Sequence, residues 1–148
     1  MSIAHLIELQ EIDSQLDDLN SFLGDLPKMV EDLNAQEHDL ITKVEEDKKR
    51  TKDINLSLNK SETANKTIQE KIDKLTDQLF LVTNNKQYDA LTLEIDHLKE
   101  KKENHESQII SNIEENEELE KNIIENQKLL TELKTDLDVR RKKLEAAL

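Results

Sequence analysis

The chain has 148 residues, with 34 Asp and Glu against 21 Lys and Arg for a net charge of −13, and one Gly, one Pro, one Tyr, two Phe, no Trp and no Cys. So few turn formers and aromatics exclude an ordinary globular domain of this size, and the lack of cysteine excludes a disulfide framework or a thiolate zinc site within these residues. Charged residues at 37% would suit disorder, but Leu and Ile recur on a regular period, which points to long helices and an all-α fold.

In the first stretch Leu6, Leu9, Ile12, Leu16, Leu19 and Leu23 step by three or four, predicting a helix over about residues 2–23 with one apolar face. The only Gly and the only Pro then fall together in Gly24-Asp25-Leu26-Pro27. Gly24 can end a helix in the left-handed conformation, Asp25 can cap the next, and Pro27 is tolerated in a first turn, so a sharp helix-to-helix connection is expected.

After Pro27 a heptad seam runs through Val30, Leu33, Glu37, Leu40, Val44, Asp47, Thr51, Ile54, Leu58, Ser61, Asn65, Ile68, Ile72, Leu75, Leu79 and Val82. A helix from 28 to 82 would be roughly 80 Å long at 1.5 Å per residue, and its stripe needs a partner. That partner is Leu91, Ile95, Leu98, Lys102, His105, Ile109, Asn112, Asn116, Leu119, Ile123, Asn126, Leu130, Leu133, Leu137, Arg140, Leu144 and Ala147. The phase breaks between the two stripes at Thr83-Asn84-Asn85-Lys86-Gln87, where Asn can cap a helix or enter a left-handed turn, so a hairpin tip is expected at 83–87.

Antiparallel folding about that tip pairs positions whose numbers sum to 170, as in Leu79 with Leu91, Leu75 with Ile95 and Asn65 with His105. Leu58 against Asn112 and Ile54 against Asn116 are poorer matches, so the middle of the hairpin, roughly 47–65 with 105–126, should be its weakest part. The expected organisation is an N-terminal base helix over 1–24 and an antiparallel coiled-coil hairpin over 25–148. Folding the first helix back would give a three-helix base, with Leu19 near Leu33 and Leu9 near Val44. Residues 1–27 carry six acids and no Lys or Arg, concentrating acid on that helix.

Leu9-Gln10-Glu11-Ile12-Asp13, then Gly24-Asp25-Leu26-Pro27, then Asn84-Asn85-Lys86-Gln87-Tyr88-Asp89-Ala90-Leu91-Thr92-Leu93-Glu94-Ile95, resemble the bacterial coiled-coil proteins that carry a four-cysteine zinc ribbon at the C-terminus. The resemblance covers the helical part, and its specificity rests on the Asn-Lys-x-Tyr segment and its position. It implies an N-terminal helical hairpin followed by a ribbon with paired CxxC ligands, and a role in nucleic-acid binding or in flagellar or type III secretion export. No Cys is present here, so the expectation is that the ribbon lies beyond Leu148 in a longer chain. Zinc is then expected only with that ribbon, and no cofactor in these residues.

The remaining chemistry is sparse. His5, His38, His97 and His105 include no pair at helical metal spacing, and runs such as Glu114-Glu115-Asn116-Glu117-Glu118 read as a solvated face rather than a catalytic pair. One glycine cannot build a phosphate loop, and no Ser or Thr has a nucleophile's setting. Lys48-Lys49-Arg50 with Lys52, and Arg140-Arg141-Lys142-Lys143, lack interleaved aromatics and do not merge into one stripe, so nucleic acid is not expected to bind this chain alone. No apolar run reaches the roughly 20 residues of a membrane span, and Met1-Ser2-Ile3-Ala4-His5 lacks a signal peptide's basic flank, so a cytoplasmic protein without a membrane partner is expected.

The expected function is that of a non-enzymatic scaffold or adaptor, monomer or homodimer, serving as the protein-interaction arm of a zinc-ribbon regulatory protein. The candidate partner-binding residues are Asn84, Asn85, Lys86 and Tyr88 at the tip, because a lone Tyr offers a rigid ring with a polar handle. The alternative is a nucleic-acid-binding regulator in which the hairpin positions the ribbon.

Overall fold

The structure, a computed structural model, describes residues 2–147. Two helices account for nearly all of them: α1, Ile3–Leu79, and α2, Asn85–Ala147, packed against each other as a helical hairpin. Ser2 caps α1, its Oγ accepting the His5 N–H at 3.3 Å. The chain divides into two compact units, one of Met1–Glu45 with Ile124–Leu148 and the other of Glu46–Ile123.

The first unit corrects the expected connection at Gly24-Asp25-Leu26-Pro27. α1 passes through it without interruption, Pro27 lies inside the helix and Gly24 has no positive φ, so among the described residues there is no separate N-terminal helix and no third helix at the base. The physical reason is phase. Leu9, Ile12, Leu16, Leu19, Leu23, Leu26, Val30 and Leu33 alternate steps of three and four across the Gly and the Pro, so a straight continuation keeps one apolar face. Leu26 is fully buried (0% exposed), as is Leu137 of α2 (0%), and Val30 is nearly so. A helix cannot bury its own stripe, and in this unit only α2 is available to cover it. That burial offsets the interior Gly and Pro, which cost about 1 and 3 kcal/mol relative to Ala. Polar and cationic groups of α2 fasten the same stretch. Arg140 Nη1 lies 2.9 Å from Met29 Sδ while its Nε donates to Asp136 at 3.0 Å, and Arg141 donates to Asn34 Oδ1. Lys143 Nζ stands 5.9 Å from the centre of the Phe22 ring, in cation–π range.

The second unit holds the apolar centre of the hairpin, Ile68, Ile72 and Ile95, with Leu75 and Leu98 packed on it. Farther from the tip the seam turns polar, Asp47, Ser61 and Asn112 being buried as Ile54 is. Asn65, expected opposite His105, donates from Nδ2 to the Lys102 carbonyl at 3.4 Å. Asn112 and Asn116, expected opposite Leu58 and Ile54, find polar partners on the adjacent residues: Asn112 Nδ2 donates to Ser57 Oγ at 3.2 Å, and Asn116 Nδ2 to Asn55 Oδ1 at 2.9 Å. A buried amide facing a leucine would lose its water without replacement, and a polar neighbour one position aside supplies that replacement. The satisfaction is incomplete, because the buried Oδ1 atoms of Asn65 and Asn116 accept no protein hydrogen bond.

Candidate functional site

The tip of the second unit is built from the end of α1 and the start of α2. α1 ends at Leu79, and Phe80 and Leu81 close the turn by donating their N–H groups to the carbonyls of Asp77 and Gln78 at 3.3 and 3.0 Å. The non-helical connection is 80–84, so of the expected segment 83–87 only Thr83 and Asn84 lie in it, and Asn85, Lys86 and Gln87 form the first turn of α2.

Asn84 is the cap. Its Oδ1 accepts the Lys86 N–H at 2.7 Å, a donor that a helix start leaves open, and its carbonyl takes the first intrahelical bond from the Tyr88 N–H at 3.0 Å. Tyr88 follows one turn later with about half its surface exposed (49%), and its carbonyl accepts the Thr92 hydroxyl at 3.0 Å. Asn85 and Lys86 are exposed on the same turn. The four candidate residues are therefore neighbours, but they divide into a structural cap, Asn84, and an exposed group, Asn85, Lys86 and Tyr88.

Phe80 and Leu81 escaped the sequence reading. Each is 81% exposed, far more than a residue held in the seam. The signal was available: in Leu79-Phe80-Leu81-Val82 the seam takes 79 and 82, which leaves two large apolar residues facing outward. Phe80 and Tyr88 are two of the only three aromatic residues in the chain. Beside them an open groove of about 500 Å³ is lined by Gln78, Leu81, Val82, Thr83, Gln87 and Leu91. A water-exposed Phe and Leu side by side in the connection, with a half-exposed Tyr in the first turns of α2, form a surface that gains by being covered.

A larger open groove, about 860 Å³, runs between the helices of the first unit beside Leu33, Leu40, Leu129 and Leu133. Its acids are Asp39, Glu132 and Asp136, and Asp136 is already ion-paired with Arg140. It is the furrow left beside a loosely packed seam, without the donor and acceptor convergence of a chemical site. The arginines of the basic clusters are engaged as well, Arg140 with Asp136 and Arg141 with Asn34. Arg50 grips Glu115 through two bonds of 2.9 and 3.1 Å, which raises the Arg50 pKa and lowers that of Glu115, the hydrogen bond being the larger cause for each. Among the described residues no group of three His, Asp or Glu is arranged to hold a metal ion, and no helix is long and apolar enough to cross a membrane.

Comparison of the chain with protein-family models, with curated proteins and with solved structures gives no match. A functional reading therefore rests on the residues and their geometry.

Proposed function

We propose that the chain is a non-enzymatic coiled-coil scaffold of the cytoplasm whose hairpin tip is a protein-docking surface, serving as the interaction arm of a zinc-ribbon regulatory protein. The observation that carries the reading is the exposure of Phe80, Leu81 and Tyr88 together at the tip, in a chain with almost no other aromatic residue. Aromatic anchors of this kind commonly supply more than 1 kcal/mol each to a protein interface. The capped start of α2 holds the Tyr88 backbone in a helix, so little main-chain ordering is left to oppose binding. The nucleic-acid reading has less support, because Arg50 and Arg140 spend their guanidinium groups on Glu115 and Asp136.

The test is quantitative capture by the intact chain and by a Phe80→Ser/Tyr88→Ala variant of equal helicity. Proteins retained by the first and lost by the second, with an affinity loss on the order of tenfold or more, support the tip as the docking surface. Equal capture by both, or retention of nucleic acid in place of protein, contradicts it.

A further inference from the structure

The seam of the second unit sets unlike residues against each other. Lys102 lies between Asn65 and Gln69, bonded to both, while Asn112 donates to Ser57 and Asn116 to Asn55. These three polar residues of α2 therefore stand level with Ile68, Leu58 and Ile54, and in the same register Ser61 stands level with Ile109. Asn116 keeps its buried Oδ1 without a protein donor. A polar group facing an apolar side chain gives up water without full replacement, so this register carries a cost at each such layer.

A slide of α2 by one heptad away from the tip, about 10 Å at 1.5 Å per residue, keeps every seam position in the seam and removes most of that conflict. Ile68 then meets Ile95, Ile54 meets Ile109, Ser61 meets Lys102 and Thr51 meets Asn112, while Leu58 with His105 and Asn65 with Leu98 become the unlike pairs. Two observed features already suit the slid register. Arg50 bonds Glu115, although Asn55, farther along α1, is the residue level with Asn116. After the slide Thr51 faces Asn112 and Asp47 faces Asn116, which brings Arg50 and Glu115 to one level. The connection 80–84 is centred on Val82, and the slid pairing folds the chain between Leu81 and Val82, whereas the observed pairing leaves residues 85–90 overhanging and exposed. A slide in the opposite direction also brings Leu58 to Leu119, but it takes Arg50 farther from Glu115 and moves the fold point past the Asn84 cap into α2.

Tyr88 is where the slide reaches the surface. It lies three residues before Leu91, in phase with the α2 seam, and its level on α1 in the observed register is Val82, beyond the end of that helix. In the slid register it meets Leu75, a seam residue inside α1. We propose that the second unit is a two-register hairpin, in which a one-heptad slide of α2 draws Tyr88 from solvent onto Leu75 and withdraws part of the tip surface. The two registers stand on the seam alone; their control of docking rests on the tip reading proposed above. The change is a switch between two packings, because intermediate offsets put the seam positions out of phase, and a partner that holds Tyr88 selects the observed register.

The chain has no cysteine of its own, so introduced disulfides report the register directly. Ser61→Cys with Ile109→Cys joins the observed register, and Ser61→Cys with Lys102→Cys the slid one. A second set, Ile54→Cys with Asn116→Cys against Ile54→Cys with Ile109→Cys, repeats the comparison at another layer. A bridge needs Cα atoms within about 7 Å and the slide is about 10 Å, so no pair closes in both registers. Both members of each set should crosslink within one chain at equal helicity. Tyr88 is the only Tyr in a chain without Trp, and acrylamide quenching of its fluorescence should be about twofold or more weaker in the slid-register crosslink, since the half-exposed ring is then covered. Closure of the observed-register pairs alone, or closure of the slid-register pairs only between chains, would overturn the proposal. Slid-register crosslinks that leave Tyr88 as quenchable as before would also overturn it. If both registers crosslink and Tyr88 responds, yet neither form captures a protein through Phe80 and Tyr88, the two-register hairpin is upheld and the docking reading falls.

Discussion

Two stretches of α1 in the same unit share one heptad phase and differ in cover. Leu26 is fully buried, whereas Leu16, ten residues earlier on the same stripe, is 51% exposed. Periodicity therefore records which residues can be buried together, and not whether anything lies over them. Stability belongs to the covered stretch and availability to the uncovered one.

The largest effect that can break this contrast is a cavity. Leu26→Ala or Leu137→Ala should cost about 2–5 kcal/mol of unfolding free energy, as for other fully buried leucines. Leu16→Ala should cost less than about 0.5 kcal/mol, because its side chain is already half in water and Ala is the better helix former. Chemical denaturation of the three variants measures this, and equal losses would mean that residues 3–23 are packed after all.

Gly24→Ala sharpens the boundary between the two stretches. A Cβ at Gly24 meets nothing within 4 Å and the residue has no positive φ, so within a continuous helix the substitution should stabilise by about 1 kcal/mol. A left-handed glycine ending a separate helix would make the same substitution destabilising. The sign of the change in thermal midpoint distinguishes the two.

The polar middle of the second unit supplies a smaller contrast with its apolar centre. Asn112→Leu removes one bond to Ser57 and buries apolar surface, and it should stabilise by on the order of 1 kcal/mol while loosening the choice of register. The smallest effect concerns Arg50 and Glu115. Because the folded pKa of Glu115 is lowered, the pair's contribution is present above the ordinary carboxylate range and is lost as pH falls through the folded value. Arg50→Ala should flatten that acid limb slightly. Both side chains are well exposed, so the difference should vanish in high salt.

The hairpin itself was readable from the sequence. Every hairpin seam position expected from Val30 to Leu144 is at least half buried and Ala147 lies open, whereas the expected apolar face of the first stretch, from Leu6 to Leu19, is about half exposed. A strict seven-residue repeat leaves a helix few other faces to bury, which is why such a reading succeeds. Asn84 was legible as a cap for a similar reason, since its short side chain matches the open donors of a helix start. The junction at Gly24-Asp25-Leu26-Pro27 misled because local propensity competed with a phase that runs unbroken from Leu19 through Leu23 and Leu26 to Val30, and burial of Leu26 outweighed the breakers. At the tip, Phe80 and Leu81 were overlooked because attention to the seam passes over apolar residues that fall outside it.

Amide hydrogen exchange along α1 tests the contrast between its covered and uncovered stretches in one measurement. Exchange should be fastest over residues 3–23, intermediate over 47–65, where the seam is polar, and slowest over 68–79, around Ile68 and Ile72. Protection of residues 3–23 equal to that of 68–79 would contradict an uncovered apolar face.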